Sequence, residues 1–544
     1  MLRKAVLLTV ALLALSAAVA SAAPTFSSSD GITVTKADQL SPRLFDVSLT
    51  SSAVDGPLHI RVILPDGYDQ QPAKQWPVLY LIHGTSGGAS DWTDKGDAEK
   101  TTAGHGFITV IPDEGINFDG GGYCADWYNR GAGGKPLWET FEVGQVIPWV
   151  DRNLRTDDQR DGRQIFGLSQ GGFCSFSIAS RHPDMFLGAG SYSGVLDTSK
   201  DEEARALVTP IVQLTTTGLD GNPDPDAMFG PRATQESNWA AHDPSTLVGN
   251  MRGQDLTVYT GNGEQGPLDP APNPGGSTIE QGVHTLTTLW KQNADAAKIA
   301  VDYHDYGPGT HSWPYWARDL QQSVDRIDAT FTAARAAPAR KDYLSGDDHW
   351  QQWGYDVAIK RPSREFSHLY NADANGFILQ GSGSGTVVTP PDYPKSSPVV
   401  VRTTGTGVDR TETARTDGAG RLRLDVPLGA GNQFQALTPQ AIAAGTKVFT
   451  TTVAITAASR SCASRRTITF AAVAPKGSRI LAARATVAGK RRALRHTRRS
   501  AILSLAGLPK GAYRVALTLK VRRNGRTRTV RQTRTFRTCT PKGK

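Results

Sequence analysis

The sequence predicts an α/β fold in which a mostly parallel sheet is covered by helices, followed by two small all-β, sandwich-like units. Near-continuous apolar runs such as Val78–Ile82 and Phe107–Ile111 have the composition of strands buried on both faces. Helix-length stretches alternate with them, which is the signature of parallel strands joined by crossover helices. Beyond about residue 337 the alternation gives way to short β-rich pieces with turn signals.

In chain order, residues 58–64, 78–82, 107–111, 211–214, 256–259 and 299–303 read as strands. Residues 141–154, 173–181, 280–297 and 316–337 read as helices. Pro338 and the polar Arg340-Lys341-Asp342 mark a boundary. The middle unit shows strand-like pieces at 399–404 and 422–428 around Asp417-Gly418-Ala419-Gly420. The last shows them at 467–470, 501–505 and 513–517, with Asn524-Gly525 as a hairpin turn. The expected organisation is a leader over 1–22, an α/β domain over 23–337, a β-rich domain over 338–455 and a basic β-sandwich-like domain over 456–544.

The leader follows from Arg3 and Lys4, the apolar run Ala5–Leu15 and the small-x-small site Ala20-Ser21-Ala22. That run is too short to span a bilayer. The mature chain is expected to be secreted or envelope-associated, with a retained N-terminal anchor as the competing reading. Export permits disulfides, so Cys124–Cys174 and Cys462–Cys539 are the expected pairs against the alternative of free thiols. The formal charge of +9 hides a division. Residues 451–544 hold 24 of the 60 Lys and Arg and none of the 51 Asp and Glu, leaving 36 basic residues to face every acidic one. An anionic cell-envelope polymer is the partner this asymmetry suggests, and no specific nucleic acid is expected.

The run Gln164–Gly172 leads from apolar residues into Gly167-Leu168-Ser169-Gln170-Gly171. A G-x-S-x-G segment between a strand and a helix is the nucleophile elbow of α/β-hydrolases, in which an acid and then a histidine follow the serine along the chain. After Ser169, the 256–260 strand enters a loop holding Glu264 and Asp269, and Glu280 stands where the next helix begins. The last strand is followed by His311 in Gly307–Trp316. Both loops leave strand C-termini, the edge where open α/β sheets assemble ligand sites. In such a set His311 removes the proton from the Ser169 hydroxyl and a carboxylate holds the imidazole in the right tautomer. Backbone N–H groups of Gln170 and of Thr85, in the loop 83–88, would bind the oxyanion. Asp220, Asp224, Asp226 and Asp243 match no calcium loop, and neither metal nor cofactor is expected.

Further segments occur in a fixed order: Asp126-Trp127-Tyr128, Trp138-Glu139-Thr140-Phe141, Met228-Phe229-Gly230-Pro231, Gly261-Asn262-Gly263 and Thr310–Trp316. With them, the region from about Leu58 to Arg326 resembles the esterase D and antigen 85 mycolyltransferase family of α/β-hydrolases. The resemblance implies a secreted serine enzyme that hydrolyses or transfers carboxylic ester acyl groups through an acyl-serine, acting on an ester or acyl-glycolipid. It also implies Glu280 as the acid, since it follows Ile279 at the head of the helix after the glycine turn; Asp269 is the alternative. The chain carries His83 and Ser86 where antigen 85 proteins place an acidic residue and an arginine against trehalose. His83, Asp126, Trp127 and Trp313 are candidate cleft residues. The rival expectation is a non-catalytic envelope-binding or adhesion protein that reuses a hydrolase fold.

Overall fold

The computed structural model describes residues 24–115, 121–129, 136–333, 336–405, 407–457, 467–471, 478–497, 500–508 and 511–538. The expected leader, and Cys462 and Cys539, lie outside them. The chain divides into two compact units, Met1–Thr456 and Ala457–Lys544. The α/β part and the β-rich segment that follows it share the first unit.

The central sheet has nine strands: β1 (Ile32–Gln39), β2 (Leu44–Ser51), β3 (Leu58–Ile63), β4 (Val78–Ile82), β5 (Ile108–Pro112), β6 (Arg163–Leu168), β7 (Gly188–Tyr192), β8 (Asp255–Thr260) and β9 (Asp302–Asp305). Their spatial order is β1-β2-β3-β5-β4-β6-β7-β8-β9. Strands β1 to β3 form an antiparallel meander that joins β5 antiparallel, and from β5 to β9 every pairing is parallel. Every residue of β4, β5 and β6 is buried, the mostly apolar β4 and β5 as expected of strands covered on both faces, and in β6 the polar Arg163 and Gln164 as well. The principal helices are α1 (Gln170–Arg181), α2 (Glu202–Leu214), α3 (Arg232–His242), α4 (Pro274–Ala296) and α5 (Trp313–Thr332).

Strands β1 and β2 and helix α3 were not among the elements read from the sequence, and two further elements depart from that reading. The 211–214 run, expected as a strand, is the last turn of α2. Ala204, Val208 and Val212 are its buried positions, four residues apart, and Glu202 and Glu203 stand in its first turn. A four-residue apolar run cannot by itself distinguish helix from strand. Strand β7, Gly-Ala-Gly-Ser-Tyr, was not anticipated. A Cβ on Gly190 would lie 1.9 Å from the Phe166 ring, so the neighbouring strand fills the space a β-forming side chain would need.

The β-rich segment forms a six-stranded and a four-stranded antiparallel sheet. Their inner faces meet through Trp350, Val357, Leu379, Val387 and Leu428. This sandwich is tied to the α/β part by a buried ionic cluster. Arg181, the last residue of α1, donates to Glu139 at 2.8 Å and to Asp347 at 3.1 Å, while the Tyr343 hydroxyl donates to the Arg181 carbonyl at 2.7 Å. Burial raises the cost of each charge, and the Arg181 guanidinium offsets it by holding the Glu139 carboxyl well below its ordinary range. In the second unit a three-stranded and a four-stranded sheet enclose Leu503, Leu505, Leu517 and Val521. Asn524 and Gly525 both take positive φ, 48° and 76°, in the hairpin turn expected of that dipeptide.

Candidate active site

Ser169 stands between β6 and α1 with φ 54° and ψ −120°, a backbone state that costs a non-glycine residue about 1–3 kcal/mol. The flanking glycines are required by contact. A Cβ on Gly167 would lie 2.2 Å from the Gly171 carbonyl oxygen, and one on Gly171 would lie 2.3 Å from that of His83. The turn therefore closes only with hydrogen at both positions, and it lifts the half-buried Ser169 side chain above the strand ends.

His311 enters from the loop between β9 and α5. Its Nε2 accepts from the Ser169 hydroxyl at 2.8 Å, and its Nδ1 donates to Glu280 Oε2 at 2.6 Å. Because the carboxylate accepts at Nδ1, the free lone pair of the ring faces the serine. Trp316 lies edge-on to the imidazole with ring centroids 4.8 Å apart, and the Trp313 ring stacks edge-on against Trp316 and Trp92.

The Glu280 side chain is fully buried. Its Oε1 accepts from Gly261 N–H at 2.9 Å, from the Ser193 hydroxyl at 2.7 Å and from the Thr260 hydroxyl at 3.4 Å. Ser193, directly after β7, holds a left-handed φ of 51° to make that contact. Helix α4 begins at Pro274, capped by Asn273, so Glu280 sits in its second turn and not at its head. Asp269, the alternative acid, accepts from Thr310, from Gly266 N–H and from the Tyr315 hydroxyl, and from no atom of His311. Burial pushes its pKa up, but these hydrogen bonds outweigh it and hold the carboxyl below its ordinary value. The structure gives Glu264 no contact with His311.

The loop after β4 lies against the elbow. A Cβ on Gly84 would meet the Leu168 side chain at 2.6 Å and Ser169 Cβ at 3.2 Å. The Thr85 hydroxyl donates to Gln170 Oε1 at 2.8 Å, joining this loop to the first residue of α1. Gln170 N–H, first in the helix, has no intrahelical acceptor, and Thr85 N–H has no acceptor among the described residues. Beneath the loop, His83 is fully buried: Nδ1–H donates to the Gly84 carbonyl at 2.7 Å and Nε2 accepts from Glu114 N–H at 2.8 Å. Gly87 N–H donates to the same carbonyl at 3.1 Å. In a trans peptide the carbonyl and the following N–H point oppositely, so fixing the Gly84 oxygen aims Thr85 N–H the other way.

The remaining cleft candidates occupy distinct places. Asp126 accepts from Thr140 N–H at 2.9 Å and from its hydroxyl at 2.6 Å. Trp127 is buried and donates to the Gly122 carbonyl at 3.1 Å. Both border a cavity of about 660 Å³ that is also walled by Arg364 and Gln435 from the β-rich segment. Trp313 is half-buried beside the His311 loop. Cys124 and Cys174 form a disulfide between the 121–129 segment and α1. Among the described residues, the grouping of ligand-type atoms at Glu114, Cys124 and Cys174 has both sulfurs in that bond, which leaves a single carboxylate. Ser193, Thr260 and His83's supporting role were not anticipated. Ser193 follows a strand too poor in β-forming residues to announce itself, and the others act through contacts no local pattern records.

Serine after β6, glutamate after β8 and histidine after β9 leave the sheet in the chain order of the α/β-hydrolases. Residues 51–327 match the family described as "Putative esterase", and the chain belongs to that family of serine hydrolases. It is similar to esterase Rv1288 of Mycobacterium tuberculosis (strain ATCC 25618 / H37Rv), 28% identical over 314 residues that cover 57% of this chain and 63% of that protein. This chain thus spans just under two thirds of that relative's length. The diacylglycerol acyltransferase/mycolyltransferase Ag85B of Mycolicibacterium smegmatis is 27% identical over 256 residues, 45% of this chain and 74% of that one. Among solved structures, Mycobacterium tuberculosis MPT51 (FbpC1) superposes with a TM-score of 0.43 at 21% identity, covering 54% of this chain and 99% of that one. A ferulic acid esterase gives 0.38 at 19% identity, covering 53% and 98%. Among the described residues, no helix is long and apolar enough to cross a membrane.

Proposed function

We propose that the chain is a secreted serine esterase or acyltransferase that works through an acyl-Ser169 intermediate. The observation that carries the reading is the unbroken hydrogen-bonded line from Ser169 through His311 to the buried Glu280. Ser169 Oγ attacks the ester carbonyl while His311 Nε2 takes its proton, and Glu280 stabilises the imidazolium. The tetrahedral oxygen is held by Thr85 and Gln170 N–H groups, aided by the N-terminal end of α1. His311 then returns the proton to the leaving alkoxide, and water or a sugar hydroxyl takes the acyl group from Ser169. An ester or an acyl-glycolipid is the substrate class. The line is complete in every member, which supports catalysis over a purely adhesive role for the same fold.

In this reading residues 23–337 perform the chemistry, 338–455 brace them, and 456–544 meet an anionic cell-envelope polymer. The test is labelling by a fluorophosphonate probe together with p-nitrophenyl ester hydrolysis. Both are expected for the full chain and lost in Ser169→Ala with the thermal melt preserved. Labelling retained in a folded Ser169→Ala overturns the assignment.

A further inference from the structure

The second unit carries 24 basic residues and no acidic one, and the sheet register locates a face on which that charge is ordered. Strands β10 (Arg479–Val487), β11 (Lys490–Arg492), β12 (Ala512–Arg523) and β13 (Arg526–Arg537) form a sheet in the order β11-β10-β12-β13. Residues directly opposite in an antiparallel pair share a face, and neighbours along a strand alternate. Val515, Leu517, Leu519 and Val521 of β12 are buried in the core. The alternate positions therefore form the outer face.

On that face Arg484, Thr518 and Arg531 stand in one row across three strands. Arg479, Arg522 and Thr527 form a second row. Lys520 lies opposite Thr529, and Arg514 opposite Thr535. All these basic residues are exposed. With strands about 4.8 Å apart and alternate residues about 7 Å apart, the cations sit on a grid roughly 7–10 Å in spacing. Most are guanidinium groups, whose planar fork suits carboxylate oxygens. Threonine hydroxyls fill the positions between them. The two aromatic residues of this sheet, Tyr513 and Phe536, oppose each other on the core side.

This combination discriminates among polyanions. Single-stranded nucleic acid is held by stacking on aromatic rings as well as by charge, and this outer face presents none. Inorganic polyphosphate accepts from the threonine hydroxyls but brings no hydroxyl donor for their oxygen lone pairs, whereas a sugar ring brings both. We propose that the outer face of β10–β13 is a docking surface for a linear acidic polysaccharide, with its carboxylates on the arginines and its hydroxyls on the threonines. The inference rests on the anionic-partner reading above and is independent of the ester chemistry.

The test uses the full chain and sodium polygalacturonate as probe, with Kd measured at two salt concentrations. The face variant combines Arg484→Gln, Lys520→Gln, Arg522→Gln and Arg531→Gln. The control combines Arg495→Gln, Arg523→Gln, Arg526→Gln and Arg534→Gln, which removes the same charge from exposed positions off the face. The face variant should weaken binding by at least about tenfold and the control by less than about twofold. Far-UV circular dichroism and thermal melts of the full chain, unchanged in both, establish that they are folded, and a face variant that loses that signal is replaced by the single substitutions. Equal weakening in the two variants overturns the face. Polyphosphate or single-stranded DNA bound as tightly as the polysaccharide overturns its identity. Absence of binding to all three polyanions overturns the anionic-partner reading along with it.

Discussion

Replacing Glu280 by glutamine tests the site most sharply, because the surroundings dictate which way the amide must lie. Oε1 accepts from Gly261 N–H, a fixed backbone donor, and from the Ser193 hydroxyl. An NH2 group in that place would face the Gly261 N–H donor to donor, leaving a buried donor unsatisfied at about 1–3 kcal/mol. The amide oxygen therefore takes the Oε1 position and the NH2 group turns toward His311 Nδ1. That nitrogen must then accept, so the ring proton moves to Nε2, the atom that faces Ser169. The imidazole is left without a lone pair for the serine proton. Loss of the productive tautomer in an otherwise intact triad lowers kcat by about 10⁴, which is about 5.5 kcal/mol of transition-state stabilisation. In contrast, Asp269→Asn disturbs a carboxylate bonded to Thr310 and Tyr315, and its expected loss is at most about tenfold. Steady-state p-nitrophenyl acetate hydrolysis, with thermal melts of each variant, makes the comparison. If Glu280→Gln retains kcat within tenfold, or Asp269→Asn loses more than it does, the tautomer argument fails.

Two further outcomes follow from buried groups around the site. Ser193→Ala removes one hydrogen bond to a charged carboxylate, worth about 1.5–3 kcal/mol; kcat should drop between about tenfold and a hundredfold with KM little changed, and a kcat within twofold of wild type would show that Gly261 and Thr260 suffice. Glu114 and Glu142 are buried and hydrogen-bonded to one another; burial, with the charges of Asp220 and Asp113, pushes the Glu114 carboxyl up to about 8, and burial, with the Glu114 charge and hydrogen bond, pushes Glu142 well above its ordinary value. Both are protonated in the folded chain where the unfolded chain's carboxylates are not, so the folded state holds more protons and stability falls as pH rises from about 4.5 toward 8. Thermal melts across that window should show the decline. Glu142→Gln should flatten it and melt higher than wild type at pH 8, whereas an unchanged slope in the variant would remove this pair as its cause.

What the sequence disclosed and what it withheld divide along a physical line. Chemistry that depends on chain order and local turns was legible: the glycines beside Ser169 are demanded by contacts of the elbow itself, and His311 follows the last strand at the sheet edge. Strands buried on both faces were legible for a related reason, since β4 and β5 are apolar but for Thr109. Strand β7 was not, because its composition answers to Phe166 on the neighbouring strand and not to its own conformation. The 211–214 run misled because only Val212 of it faces the core, Ile211 and Leu214 being exposed, and the helical period of its buried positions shows only over the residues before it.

The choice between Glu280 and Asp269 illustrates the limit most clearly. Both lie after β8 within reach of the His311 loop, and both accept hydrogen bonds from residues around that loop. What separates them is where their donors come from: His311 and distant strand ends for Glu280, the surrounding loops for Asp269. Gly261 and Thr260 come from the end of β8, and Ser193 comes from the end of β7; all three aim at Glu280. Spacing along the chain cannot register a convergence of donors from two strand ends on one oxygen. The same holds for α1, which opens at the nucleophile and closes on Arg181 inside the ionic cluster shared with the β-rich segment. Removing either acidic partner would leave a buried guanidinium undercompensated, a penalty of several kcal/mol in comparable buried pairs. The β-rich segment is thereby coupled to the helix that presents Ser169, although no motif in either stretch points to the other.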